Sequence, residues 1–204
     1  MTPYYERGGV CLYLGDCREV LALVAAEPGD LMLTDPPFPG YRNVYGNAYE
    51  MTAADIAGVL RYGARSLVFW PALLAAPLPD AAAEHIWHKP NQGNGSHQYE
   101  RIFAYGEWPR RCKVYRVAVI LPNYCQFAAE CVDHPCQKPL KLVRQLLDEG
   151  KAARIIDPFA GSGTVLVAAK ERGIPAIGIE IEERYCEIAA MRLSQEILPL
   201  EAAA

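Results

Sequence analysis

A chain of 204 residues, 51% hydrophobic and 22% charged, supports one sizeable globular core and is too short for two comfortable domains. Its formal net charge of −4 excludes a protein that coats nucleic acid over its whole surface. Interrupted apolar runs exclude a helical membrane span, and the lack of low-complexity tracts or solenoid-spaced repeats argues against disorder and repeat arrays.

Met1 to Arg7 lacks the basic-then-apolar pattern of a signal peptide, so a cytoplasmic protein is expected, with no membrane partner. Val10 to Leu14 alternates as a strand and ends in the acidic turn Gly15-Asp16. Cys17 to Ala26 is apolar at helical spacing and stops at Pro28-Gly29. Asp30 to Thr34 is a short buried strand that runs into Asp35. Strand, helix, strand begins a parallel α/β sheet.

After Phe38 comes a stretch rich in Pro, Gly, Tyr and Asn as far as Tyr49, long for a connection and of the kind that carries function. Thr52 caps a helix from Ala53 to about Tyr62, and Arg65 to Trp70 is a strand closed by Pro71. Pro77 to Ala83 is helical or irregular, His85 to His88 is a strand, and Asn91 to His97 is a polar loop. Tyr99 to Tyr105 and Val114 to Leu121 alternate as strands. Lys138 to Glu149 is a helix with Gly150 as its terminator, and Ala153 to Ile156 is a strand running into Asp157. Thr164 to Arg172, Pro175 to Ile181 and Glu182 to Ile197 then predict helix, strand and helix.

Seven cysteines without an export signal read as reduced thiols. Cys125, Cys131, His134 and Cys136 fall in one short window, but they lack the paired spacing of a structural zinc site, and no metal is expected. Between Arg101 and Arg116, the side chains of Arg110, Arg111, Lys113 and Arg116 surround Trp108 and Tyr115. This stretch is either a solvated face or a phosphate contact; Arg42, in the loop after Phe38, joins it as a candidate DNA contact.

Asp157-Pro158-Phe159-Ala160-Gly161-Ser162-Gly163-Thr164 is a strand end, a Gly-containing turn and a helix start. Backbone there approaches a ligand closely because Gly161 and Gly163 lack a Cβ. Glu180 ends the next strand, about twenty residues on, where a carboxylate accepts both hydroxyls of a ribose. No lysine follows Gly163 as in a triphosphate loop, and Asp157 suits a ligand that brings an ammonium group. S-adenosylmethionine is such a ligand. Asp16 could accept from its adenine amino group and the Cys17 N–H could donate to a ring nitrogen, although helix capping explains Asp16 equally simply.

Asp35-Pro36-Pro37-Phe38 is a second signal. Two prolines stiffen the backbone and remove two N–H donors, so the Asp35 carboxylate and the Pro36 carbonyl are presented rigidly as acceptors. An exocyclic amine on adenine or cytosine is a poor nucleophile. Accepting its two hydrogens aims the nitrogen lone pair at a methyl sulfonium, a matter of position and electrostatics with no covalent intermediate. Phe38 supplies a face on which a flipped base can stack.

Together these residues resemble the amino-methylating DNA methyltransferases that use S-adenosylmethionine, and the order, Asp35-Pro36-Pro37-Phe38 before the turn at Asp157, resembles their β group. Gly15-Asp16-Cys17, Tyr99-Glu100-Arg101-Ile102-Phe103 and His134-Pro135-Cys136-Gln137-Lys138-Pro139 look like three further segments of that family. Cys136 departs from it, since a hydroxyl side chain is usual there, and Lys138 or the helix N-terminus would compensate toward the donor's carboxylate; Gln137 joins the cofactor-binding candidates the resemblance implies. The resemblance implies a single methyltransferase domain over 1–204, with a short target-recognition segment at about 106–133. The fold it implies is a circularly permuted Rossmann-like α/β sheet, mostly parallel with an antiparallel strand and with helices on both faces. It also implies site-specific transfer of methyl to the N6 amino group of adenine in DNA, as in restriction-modification, because an acidic first residue resembles the adenine members. Cytosine-N4 methylation and a catalytically inactive nucleic-acid-binding module are the alternatives. A recognition region this small points to a short or degenerate site, or to recognition shared with a second subunit, as in a homodimer.

Overall fold

The computed structural model describes residues 1–39, 51–92, 98–120, 132, 134 and 136–195. Arg42 and the loop around it, residues 93–97, Cys125 and Cys131 lie outside the described residues, as does most of 106–133 beyond residue 120. The strands are β1 (Tyr5–Arg7), β2 (Val10–Leu14), β3 (Asp30–Thr34), β4 (Ser66–Pro71), β5 (Ala83–His88), β6 (Tyr99–Tyr105), β7 (Val114–Arg116), β8 (Arg154–Asp157) and β9 (Ala176–Glu180). The helices are α1 (Cys17–Leu21), α2 (Ala53–Leu60), α3 (Leu140–Gly150), α4 (Thr164–Glu171) and α5 (Glu183–Ser194).

One nine-stranded sheet runs in the order β1-β2-β9-β8-β3-β4-β6-β5-β7. The run β2-β9-β8-β3-β4 is parallel throughout and matches the 3-2-1-4-5 run of a doubly wound sheet, entered by the chain at its third strand. β6 is antiparallel to both β4 and β5, and β1 is antiparallel to β2, so there are two reversed strands where the sequence suggested one. The second, β1, is a hairpin partner of β2 across Gly8-Gly9, both at positive φ (61° and 78°).

Successive residues of the central strands face opposite ways and meet different helices. Leu31, Leu33, Leu67, Phe69 and Ile155 pack with α3, α4 and α5, whereas Met32, Val68, Trp70 and Ile156 pack with α1 and α2. Each such side chain, fully buried, contributes roughly 1.5–3 kcal/mol. This burial pins the register, because a one-residue slip would exchange the two faces.

Four element ends differ from their sequence patterns for local reasons. α1 stops at Leu21 because Leu23 and Val24 donate to Val20 and Leu21, tightening the chain into turns. β7 ends at Arg116 because the Asn91 side chain takes over both backbone groups of Val119, at 2.8 and 3.0 Å. Gly150 is the last residue of α3 rather than its terminator; a Cβ there would lie 2.4 Å from Leu31 Cδ2, and Lys151 takes the left-handed position at φ 43°. Pro77 to Ala82 forms no helix, and β5 starts at Ala83. Thr52 caps α2 as expected, in a reciprocal pair with Asp55.

Candidate active site

The order of the sheet reverses between β8 and β3, and ligands of such sheets bind outside the carboxyl ends at that point. Asp157 is the last residue of β8 and Asp35 follows the last residue of β3, so two acidic groups from distant sequence meet there. The Thr34 hydroxyl donates to Asp157 Oδ1 at 2.8 Å, and the Phe159 N–H donates to the same oxygen at 3.2 Å. Burial pushes the Asp157 carboxyl up to about 7, with help from the charges of Asp35 and Glu180 and against those two hydrogen bonds.

The turn from Pro158 to Gly163 delivers the chain into α4. Gly161 holds φ 50°, and a Cβ on it would sit 2.9 Å from His134 Nε2, so the turn needs both its conformation and its missing side chain. Glu180 ends β9 on the next strand. Its Oε2 accepts from the Gly161 N–H at 2.7 Å and its Oε1 from the Glu182 N–H at 2.8 Å. Burial raises its pKa, and backbone N–H groups oppose the rise. Each carboxylate oxygen retains a second acceptor site, which fits the two hydroxyls of a ribose.

One cleft gathers Asp35, Pro37, Asp157, Phe159, Gly161 and Glu180. Cys17, Gln137, Lys138 and Thr164 complete the expected set that lines it. His134, Cys136 and Tyr185 line it too; the His134 and Tyr185 rings meet edge to face with centroids 4.6 Å apart. Asp16, Pro36, Phe38 and Gly163 are absent from the lining. Asp16 instead caps α1, accepting from the Arg18 N–H at 2.8 Å, and its carboxylate pairs with the Arg18 guanidinium at 2.5 Å. Gly163 is the N-cap of α4 at φ 76°. The Gln137 side chain accepts from the Val132 N–H at 3.1 Å and so braces its own segment. Arg192 of α5 reaches over to the Thr164 hydroxyl at 3.0 Å and the Ser162 carbonyl at 2.6 Å.

On the other side of the cleft, Lys138 donates to Asp35 Oδ2. Burial raises the Asp35 carboxyl to about 6; Lys138 opposes the rise and Glu100 adds to it. Asp35 Oδ1 is buried and has no hydrogen-bond partner among the described residues. The Lys138 ammonium is held above its ordinary range by Asp35 and Glu100, although burial pulls the other way. Phe38 packs edge-to-face on Trp70 at 5.5 Å.

The basic stretch divides. Tyr105 ends β6 opposite Ser66, at the far end of the sheet from the cleft, and the chain crosses that end before β7 begins at Val114. Lys113, just before that start, is paired with Glu149 near the end of α3. Arg110, Arg111 and Lys113 are therefore not brought to the cleft, because the reversed strand delivers them to the opposite edge. Arg116 pairs in register with His88 at the carboxyl ends, on the cleft's side. Thr34 and Arg192 join the site, as partners of Asp157 and Thr164, without any local motif to announce them. Among the described residues no group of three or more His, Cys, Asp or Glu is placed to hold a metal, and no helix is long and apolar enough to cross a membrane.

This geometry has relatives. The chain is 24% identical over 256 aligned residues to the type II methyltransferase M.ScaI of Streptomyces caespitosus, covering 95% of this chain and 84% of that protein. The fold is shared with the cytosine-N4-specific PvuII DNA methyltransferase at a TM-score of 0.68 and 16% identity, covering 96% of this chain and 90% of that one. It is also shared with a DNA modification methylase of Thermus thermophilus solved with S-adenosylmethionine, at a TM-score of 0.59 and 24% identity, covering 89% and 91%. A family model described as DNA methylase matches residues 79–191, more than half of the chain, from before β5 through most of α5. With the permuted sheet and the paired carboxylates at its switch point, the match makes this chain a member of the N6/N4 DNA methylase family.

Proposed function

We propose that the protein transfers methyl from S-adenosylmethionine to the N6 amino group of an adenine flipped out of DNA. The observation that carries this reading is Asp35 Oδ1, buried and without a hydrogen-bond partner among the described residues, on a rigid Asp-Pro-Pro backbone one strand from Asp157. A buried acceptor left without a partner costs about 1–3 kcal/mol, so it is kept for something that binds. S-adenosylmethionine, when bound, supplies an electrophilic methyl on a sulfonium.

The chain's own groups do the rest. Glu180 accepts the ribose hydroxyls, and Asp157 takes the ammonium of the donor's amino-acid end, which favours the ionised carboxylate. Asp35 Oδ1 and the Pro36 carbonyl accept the two hydrogens of the amine, which localises the nitrogen lone pair. Phe38, backed by Trp70, offers a stacking face for the base. Site-specific modification of the type II kind is supported by the likeness to M.ScaI.

The test is incubation with DNA and methyl-labelled S-adenosylmethionine, followed by mass spectrometry of the nucleosides. N6-methyladenine is the expected product. N4-methylcytosine would move the base assignment to the second reading, which the likeness to the cytosine-N4-specific PvuII enzyme favours. No methylated base would leave a binding module and sink the catalytic reading.

A further inference from the structure

Asp35 is one end of a line of four charges at the carboxyl edge of the sheet. Lys138 Nζ bonds Asp35 Oδ2 and lies 3.8 Å from Glu100 Oε2, and Glu100 Oε1 in turn holds Lys89 Nζ at 2.5 Å. None of the four side chains is more than 18% exposed. The line alternates in sign and sums to zero, which is how buried ions offset their desolvation. Both ammonium groups also lie over the Trp87 ring, at 4.8 Å for Lys89 and 6.0 Å for Lys138.

The four residues come from four places: after β3, before α3, on β6 and after β5. Because β6 runs against its neighbours, its second residue, Glu100, lies opposite Pro71 and Trp87 at the carboxyl ends, where the other strands finish. Neither Glu100 nor Lys89 lines the cleft. Glu100 Oε2 makes no hydrogen bond among the described residues, so it acts on Lys138 by charge alone.

We infer that Glu100 is a positioning residue for methyl acceptance: it shares the Lys138 ammonium with Asp35, so that Lys138 grips Oδ2 without neutralising the carboxylate and Oδ1 stays free to accept the amine hydrogen. This rests on the function proposed above. Two opposing substitutions follow from the geometry. With Glu100 made neutral, Lys138 belongs to Asp35 alone, and the carboxylate becomes a weaker acceptor that protonates less readily. With Lys138 made neutral, Asp35 and Glu100 repel across the gap, and Asp35 protonates more readily.

The experiment follows the Asp35 carboxyl by its carbon-13 resonance in the intact protein, assigned by its loss in Asp35→Asn. Glu100→Gln should move the titration midpoint down and Lys138→Met should move it up, each by at least about half a pH unit. In parallel, Glu100→Gln should slow single-turnover methyl transfer about tenfold at pH 8 while the dissociation constant for S-adenosylmethionine stays within about twofold. A merely structural salt bridge would not produce the split between turnover and affinity. Should Lys138→Met fail to fold by circular dichroism, Lys89→Met replaces it and should also move the midpoint up. Midpoints unmoved in the folded variants overturn the role of Glu100. Absence of transfer by the wild-type protein overturns the function, and the titration distinguishes the two failures.

Discussion

The two sides of the cleft hold their carboxylates by different means. On the donor side, Glu180 is bound by the backbone N–H groups of Gly161 and Glu182, and Asp157 by Phe159 N–H and its strand neighbour Thr34. On the acceptor side, Asp35 is bound by Lys138, 103 residues away, and influenced through it by Glu100. Backbone donors are fixed by a turn and cannot drift. Side-chain charges can be tuned, and their balance sets how strongly a carboxylate accepts. The difference suits the two proposed tasks, since gripping a ligand needs fixed partners and aiming a lone pair needs a poised one.

Substitution at Asp35 should break this contrast most visibly. Asp35→Asn should lower methyl transfer at least about a thousandfold while donor affinity changes less than about threefold, measured by transfer of labelled methyl and by calorimetry. The reverse result, lost affinity with retained turnover, would place the donor and not the amine at Asp35. Asp157→Asn should do what Asp35→Asn does not, and weaken donor binding about 10- to 100-fold, the worth of one charge-assisted hydrogen bond.

The same Asp157 substitution should stabilise the unliganded protein. Its folded pKa, about 7, lies above the ordinary aspartate value of 3.8, so its contribution to stability is full below about pH 4 and is lost as pH rises through 7. Asp157→Asn should therefore raise stability at pH 8 by on the order of 1–3 kcal/mol and flatten the decline between pH 4 and 7, as read from urea unfolding at a series of pH values. Methyl transfer should show the opposite trend, since Asp35, at about 6, and Asp157 both have to be ionised to do their work. Turnover at saturating donor should rise as pH passes 6, and donor affinity should rise as it passes 7; a flat profile from pH 5 to 8 would contradict both assignments.

The smallest effects concern DNA. Arg116→Ala should reduce the slope of log affinity against log salt by about one. A combined Arg110→Ala and Arg111→Ala variant, altered at the far edge of the sheet, should change that slope less. Equal changes would mean that DNA wraps past the edge at β7.

The turn and its carboxylates were almost wholly legible in the sequence, because strand, turn, helix and the carboxylate ending the next strand form one continuous stretch between Asp157 and Glu180. Asp35 was legible for the same reason, through its two prolines. Its partners were not. Lys138 looked like a cofactor residue; it lines the cleft and pairs with Asp35, and the β6 reversal brings Glu100 to it as well. Asp16 carried two readings, of which the cap is the one its hydrogen bonds display. The basic stretch divides between the two ends of the sheet, because clustering along a chain says nothing about which end of a sheet each residue reaches. β1 was missed, although Gly8-Gly9 between two short alternating runs was its signal.

The slot between β2 and β3 bears on how the protein is made. These two strands do not touch; β9 and β8 fill the space between them, and the Thr34–Asp157 bond that closes it joins residues 123 apart. A nascent chain emerging from the ribosome therefore carries two bare strand edges, at what will become the centre of the sheet, until β8 and β9 arrive to zip them. Contacts of such separation slow folding. Translation pauses or truncation ahead of Arg154 would yield a sticky product that chaperones must shield, and one that lacks half of its cleft.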